Sequence, residues 1–244
     1  MTSTSATEQK LRKDAAANRE RLLTAGRELL ARRGLGVTLN DVAHHAGVGV
    51  GTAYRRFSNK EELIDAILER QNEEIEQILH AALAEPDPWT GLVLYLERSL
   101  ALQAQDRGMA QIFAGRHGRR TKYDESRDRL APLINRVAER ARDAGALRAD
   151  ATGTDLVFLQ IALSTVAAVA QDGASLEGRE DAEQLYRRYL WIALDGLRAD
   201  GPTSQLPIPA LTTAQTHTLL QPTRPEQDVI RADAADDDDM ESTS

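Results

Sequence analysis

The chain has 244 residues, no cysteine and a net charge of −8 at neutral pH. That length buries an adequate core in one large domain or two smaller ones, and the lack of thiols excludes a disulfide framework and a thiolate metal site, as suits a reducing cytoplasm. An acidic total argues against a nucleic-acid binder, yet residues 10–60 hold eleven Lys/Arg against four acids (net +7), while residues 201–244 hold two Arg against eight acids (net −6).

Residues 1–10 are Ser/Thr-rich, lack the apolar segment of a secretory signal and are expected to form a disordered leader. A first helix is predicted from about Asp14 to Arg33, with Leu22, Ala25, Leu29 and Leu30 on one face and Gly34 just past its end. From Thr38 to Phe57 two short helices meet at a glycine turn, the arrangement of a DNA-binding helix-turn-helix. Thr38 caps the first of them with Asp41 three residues on, a variant of the capping box. Gly47 supplies a left-handed turn, Ala43 is small at the crossing, and Val42, Val48 and Ala53 close the corner. An ordinary αα-corner of the same spacing is the competing reading. The basic flank and the continuation Tyr54-Arg55-Arg56-Phe57-Ser58-Asn59-Lys60 weigh against it.

A fourth helix is predicted from about Lys60 to Leu83, with Leu63, Ile64, Ile67, Ile75, Ile78 and Leu79 on its apolar side. Glu85-Pro86-Asp87-Pro88 ends it and starts the next, with Asp87 as N-cap and Pro88 at the first helical position. The helix from Trp89 to about Gln105 is apolar over much of its circumference, so it is expected to be buried. A short helix from Asp106 to Phe113 and a basic loop from Gly115 to Arg120 should follow. Residues 122–144 then form an amphipathic helix with Leu130, Leu133, Ile134 and Val137 inward. Thr152-Gly153-Thr154-Asp155 opens an apolar helix to about Ala170, and Arg179 to Arg198 forms the last one. The run Leu156 to Ala170 is interrupted by polar residues and is expected to be too short to span a bilayer. No period-2 pattern persists, so the fold should be all-α. Beyond Gly201-Pro202, scattered prolines and the run Asp236–Asp239 read as a disordered tail.

Thr38, Ala46-Gly47-Val48, Gly51-Thr52-Ala53-Tyr54 and Phe57-Ser58-Asn59-Lys60 follow the motif of the tetracycline-repressor (TetR) family of bacterial transcription regulators. Over roughly residues 15–70 the chain resembles that family. Ala53 departs from it, since a larger aliphatic residue is commoner there, which implies a looser corner. The resemblance implies a three-helix helix-turn-helix domain over 11–60 (motif 38–57), a helical ligand-binding and dimerisation domain over 61–200, and a tail over 201–244. It implies a homodimeric, cytoplasmic repressor that a small molecule releases from a palindromic operator in double-stranded DNA, without cofactor or membrane. A ligand-independent regulator or activator of the same fold, or a helical protein-interaction adaptor, are the alternatives.

By the same resemblance, Val50 and Gly51 open the recognition helix in the major groove. Arg55 and Arg56 then offer planar donor forks to guanine edges or adjacent phosphates, and Thr38, Thr52, Tyr54 and Lys60 bond phosphates. Asn40 touches a base or phosphate, or is a solvated surface residue. His44 and His45 point to different helix faces, cannot share a metal, and read as surface residues near phosphate. Lys10, Arg12, Lys13, Arg19 and Arg21 either track the DNA or form a basic leader with no fixed contact. The family builds a small-molecule cavity between the fourth and eighth helices counted along the chain. The residues placed there are Trp89, Tyr95, Gln103, Met109, Phe113, Tyr123 and Phe158, although taken singly each reads better as plain core. Arg116, His117, Arg119, Arg120 and Lys122 select an anionic ligand or form a solvated loop. Leu156, Leu159, Leu163 and Val166 on one helix, with Leu185, Tyr189, Ile192 and Gly196 on the next, form stripes for a four-helix dimer interface; plain core burial is the alternative. No catalytic set, phosphate-binding glycine loop or metal-ligand spacing occurs, so neither an enzyme nor a metal site is expected.

Overall fold

Between Ser3 and Arg33 the sequence has no proline, one glycine and many strong helix formers, so one helix, α1 (Ser3–Arg33), takes the whole length. This corrects the expected leader: helix begins at Ser3 rather than near Asp14, because nothing between those positions breaks it. The computed structural model describes residues 3–104, 120–172, 181, 184–201 and 204–220. Among them the fold is all-α and lacks strands; one isolated antiparallel bridge joins Leu147 and Arg198. After α1 come α2 (Leu39–His45), α3 (Val50–Arg56), α4 (Lys60–Ala84), α5 (Pro88–Ala104), α6 (Arg120–Asp143), α7 (Gly153–Asp172), α8 (Leu185–Leu197) and α9 (Thr213–Leu220). The short helix expected at 106–113, the basic loop and the expected start of the last helix at Arg179 lie outside the described residues.

Two apolar cores share α4. Leu22, Leu29, Val42, Phe57, Leu63, Ile64 and Ile67 belong to the first, with α1 to α3. Ile75, Leu79, Leu92, Leu96, Val137, Leu156 and Leu190 belong to the second, with α5 to α8. Between the two, α4 carries a polar collar. Arg27 of α1 reaches Glu74 at 3.3 Å and Arg70 pairs with Glu20 of α1. On the other side, Arg129 of α6 meets Glu69 and Glu76, each at 2.9 Å, and the Asn72 amide donates to Ser126 Oγ at 2.9 Å. α4 is therefore one continuous helix common to both cores, with side-chain ties to α1 on one side and to α6 on the other.

The α4–α5 corner forms as its sequence dictates. Asp87 accepts from Thr90 N at 2.8 Å and from Thr90 Oγ1 at 2.6 Å, and Pro88 starts the helix. Arg140 of α6 closes the C-terminus of α4 by donating to Leu83 O at 2.9 Å and Pro86 O at 3.2 Å. Thr152 N and Oγ1 donate to Asp155 at 2.7 and 2.8 Å and open α7.

Two further expectations are corrected. At 20 residues, with 18 of mean hydropathy 1.6, α7 is long and apolar enough to cross a membrane by length and composition. The run is thus not too short; a third of that window is buried, in the core shared with α5, α6 and α8. Nor is the region after Gly201 structureless throughout. Arg148 Nη2 donates to Ser204 O at 2.7 Å, Thr154 Oγ1 to Leu211 O at 2.8 Å and Asn135 Nδ2 to Thr213 Oγ1 at 3.2 Å, which straps residues 204–220 across the α6–α7 end. The acidic run Asp236–Asp239 lies outside the described residues.

Candidate nucleic-acid interface

Local chemistry sets the helix-turn-helix. Thr38 N donates to Asp41 Oδ2 at 2.9 Å and Asp41 N donates to Thr38 Oγ1 at 3.2 Å, a reciprocal capping box at the start of α2. The Thr38 hydroxyl also donates to that carboxylate at 2.6 Å, and these bonds hold the Asp41 carboxyl below its usual range. Gly47 turns the chain at φ +62°, a conformation L side chains rarely adopt. Val48 N then closes onto Ala43 O at 2.9 Å, and Val42, Ala43 and Ala53 are fully buried at the crossing. His45 Nε2 lies 2.9 Å from Glu28 Oε2, which fastens α2 to α1. Arg19 lies over the Phe57 ring, 5.9 Å from its centroid, so it serves the fold of this domain.

Capping also positions α4. Asn59 Oδ1 accepts from Glu62 N at 2.8 Å, while Glu62 reaches back to Ser58 N at 2.7 Å. Lys60, first in α4, therefore stands beside the starts of two helices. Thr38, Tyr54, Ser58, Asn59 and Lys60 line an open groove of about 440 Å³ with Gly36, Val37 and Leu39. Residues 22 positions apart thus converge on one concavity lined by a lysine and by threonine, tyrosine and serine hydroxyl side chains. Side chains of these types commonly bond DNA phosphates.

The outward face of α3 carries the remaining candidates. Gly51, Tyr54, Arg55 and Arg56 are exposed, as is Asn40 on α2, whereas Val50 and Thr52 are partly covered. Arg55 Nη2 donates to Thr52 Oγ1 at 3.1 Å, which holds the guanidinium along the helix. A Cβ added to Gly51 meets no heavy atom within 4 Å, so this end of α3 is open.

In the second domain the cavity candidates separate. Trp89 is buried at the start of α5 under Arg198, whose guanidinium carbon lies 4.5 Å from the ring centroid, so it closes the end of the domain. Tyr95 is fully buried and donates to Gln160 Oε1 at 3.4 Å; burial pushes its phenol far above the usual range and keeps it neutral. Gln103 and Phe158 are partly buried. Met109, Phe113 and the Tyr123 side chain lie outside the described residues, as do Arg116, His117, Arg119 and the side chains of Arg120 and Lys122.

The interface stripe expected on α7 is corrected. Leu156 and Leu163 are buried within the chain's own core, and Leu159 and Val166 pack against it. Because α7 is apolar on nearly every side, spacing alone does not select its free face. That face is Ile161 and Val169, the latter 67% exposed, and α8 adds Tyr189 and Ile192, the latter 57% exposed, with Leu185 partly covered. Sequence reasoning also missed three buried polar side chains: Gln71 on α4, Ser99 on α5 and Gln160 on α7. Their signal was present as polar residues set into apolar helical stripes.

Known proteins share this arrangement. A family model for bacterial regulatory proteins of the tetR family matches residues 22–67, and one for the C-terminal domain of SbtR-like transcriptional regulators matches residues 87–199. The transcriptional repressor BepR of Brucella suis is 30% identical over 137 residues, 55% of this chain and 64% of BepR. The regulator SAR0097 of Staphylococcus aureus is 34% identical over 34% of this chain, and the match spans 44% of that protein. Among solved structures, the TetR regulator SCO0520 of Streptomyces coelicolor has a TM-score of 0.56 at 26% identity, over 75% of this chain and 99% of that one. The regulator FadR of Bacillus subtilis, solved with stearoyl-CoA, has a TM-score of 0.57 at 18% identity over 73% and 98% of the two chains, a likeness of fold.

Proposed function

Because the chain belongs to the TetR family of bacterial regulatory proteins, we propose that it is a homodimeric, cytoplasmic repressor that leaves a palindromic operator when a small molecule binds its second domain. It is a DNA-binding transcriptional regulator and not an enzyme. The observation that carries the operator reading is the groove joining Thr38, Tyr54 and Lys60 beside the open face of α3. A phosphate in that groove fixes the height and angle of the head. Arg55 and Arg56 then face the base edges of the major groove, one turn of helix from the open glycine end.

A two-fold partner is supported by Ile161, Val169, Tyr189 and Ile192, large apolar side chains exposed on two adjacent helices. A two-fold dimer that reads a palindrome needs its two recognition helices in successive major grooves, roughly 34–36 Å apart. Repression is the sign that BepR carries, and a dimer seated on a promoter blocks polymerase. Ligand release is supported by α4, whose collar couples both cores.

The test is binding to an operator selected from random duplexes, against scrambled DNA, across a salt titration. Replacing Arg55 or Arg56 should cost about 1–3 kcal/mol on the operator and less on scrambled DNA. Replacing Tyr54 or Lys60 should weaken both alike and flatten the salt slope. Equal losses on both DNAs for all four variants sink the base-reading assignment. Light scattering that gives a monomer mass sinks the dimer.

A further inference from the structure

Apart from Tyr54 on α3, every exposed large apolar side chain among the described residues lies on α7, on α8 or on the strap over 204–220. On α7, Leu156, Gln160, Leu163 and Ala167 are buried, and Ile161, Thr165 and Val169 stand on the opposite side of the helix. Thr154 lies two turns before Ile161 on that same outward side, yet it is only 6% exposed. The strap crosses it there, where its hydroxyl donates to Leu211 O at 2.8 Å. On α8, Tyr189, Ile192 and Gly196 form one outward line, and a Cβ built on Gly196 meets nothing within 4 Å. At that end of α8, Arg148 donates to Gly196 O at 3.3 Å and to Ser204 O at 2.7 Å. The bridge between Leu147 and Arg198 sets the end of α8 beside the turn that leads into α7. The strap therefore runs from the last turn of α8 to the first turn of α7 and closes the end of their free face.

The composition of the strap fits that position. Residues 204–216 contain no Asp, Glu, Lys or Arg, in a chain where these make up 28%. The centres of subunit interfaces are depleted of charge in the same way. Leu206 is 40%, Ile208 75% and Leu211 37% exposed. Leu206 and Ile208 each precede a proline, which narrows their backbone freedom, and Pro207 and Pro209 hold their own φ. Little entropy is left to lose when these side chains are covered. At about 200 Å² for a fully exposed large apolar residue, Ile161, Val169, Tyr189 and Ile192 offer roughly 400 Å² and the three strap residues add roughly 300 Å². The first figure is about half of the roughly 800 Å² that each partner gives to a standard interface, and with the strap the patch comes close to the whole.

We propose that the strap is a third element of the subunit interface, in which Leu206, Ile208 and Leu211 pack against a second copy of this chain beside the α7–α8 pairing. This rests on the homodimer reading above and adds to it a segment beyond residues 87–199, the part that matches the C-terminal family model. A two-fold axis presents the same face on both protomers, so each substitution in the strap acts twice in the dimer.

Sedimentation equilibrium on the full chain measures the dimer dissociation constant. Ile208→Ser and Leu206→Ser should each raise it about tenfold or more. The helical circular dichroism of the diluted monomer should not change, because both side chains are exposed in their own chain. The chain has no cysteine, so Ile208→Cys carries a single thiol. That thiol should react slowly with a disulfide reagent at concentrations that hold the dimer, and fast on dilution to monomer. Unchanged dissociation constants in both serine variants, with a thiol equally reactive at both concentrations, overturn the inference and leave the α7–α8 dimer standing. A thiol that stays masked in the diluted monomer is covered by another segment of the same chain, which also overturns it. If the full chain is monomeric at micromolar concentration, the homodimer reading and this inference fall together.

Discussion

Gly51→Ala separates stability from DNA recognition, because the two should move in opposite directions. Gly51 is the second residue of α3, its backbone is helical, and a Cβ built there meets nothing within 4 Å. Alanine fits the folded chain without strain and has fewer unfolded conformations to lose. The full helix-interior gain is about 1 kcal/mol, and in a first turn it should be about 0.3–0.7 kcal/mol. In the proposed operator complex the same methyl points outward from the end of α3 that would meet the bases. Pushed back from the groove, α3 loosens the forks of Arg55 and Arg56, each worth about 1–3 kcal/mol of discrimination. Operator affinity should fall about 5- to 150-fold, whereas scrambled DNA, held through the Thr38–Tyr54–Lys60 groove, should lose far less. Urea unfolding and fluorescence anisotropy at one fixed salt concentration measure the two effects. Unchanged operator affinity would show that this end of α3 does not meet DNA, and a drop in stability would contradict the open space around Gly51.

Gly91→Ala should act in the opposite sense on stability: the new Cβ overlaps the Ala82 carbonyl oxygen and sits 3.3 Å from its carbon, so backbone must shift. Overpacking of about 1–3 kcal/mol should exceed the helix gain, giving a lower urea midpoint with operator selectivity retained. The carboxyls of Asp41 and Asp87 are lowered by bonds from Thr38 and Thr90, and that of Asp150 by Arg148. Their folded values lie below the unfolded ones, so their contribution is fully present above about pH 4 and is lost as pH falls through the depressed values. Melting temperature should hold down to that pH and then drop, and Thr38→Val with Thr90→Val should shallow the drop. Truncation after Leu220 removes eight acids and two arginines and leaves the strap docked, whereas truncation after Asp200 also removes the bonds to Arg148, Thr154 and Asn135. Only the longer truncation should lower the melting temperature. If the acidic run competes with phosphates, both should tighten non-specific DNA binding at low salt, and unchanged binding means the tail is a solvated end.

What the sequence disclosed was chemistry that acts over three or four residues. The Thr38–Asp41 box, the turn at Gly47, and Asp87 before Pro88 are each written in adjacent residue types, and each forms as expected. The face of α7 was not legible, because a helix apolar on nearly every side has no preferred direction in its own spacing. Leu163 and Val169 look alike until α5, α6 and α8 bury one and leave the other exposed. The strap was hidden for another reason: its anchors are the carbonyls of Ser204 and Leu211, groups that every residue possesses. Gln71 is the instructive case. Four residues from Ile67 and four from Ile75, it reads as a defect in an apolar stripe, although that same spacing forces it inward.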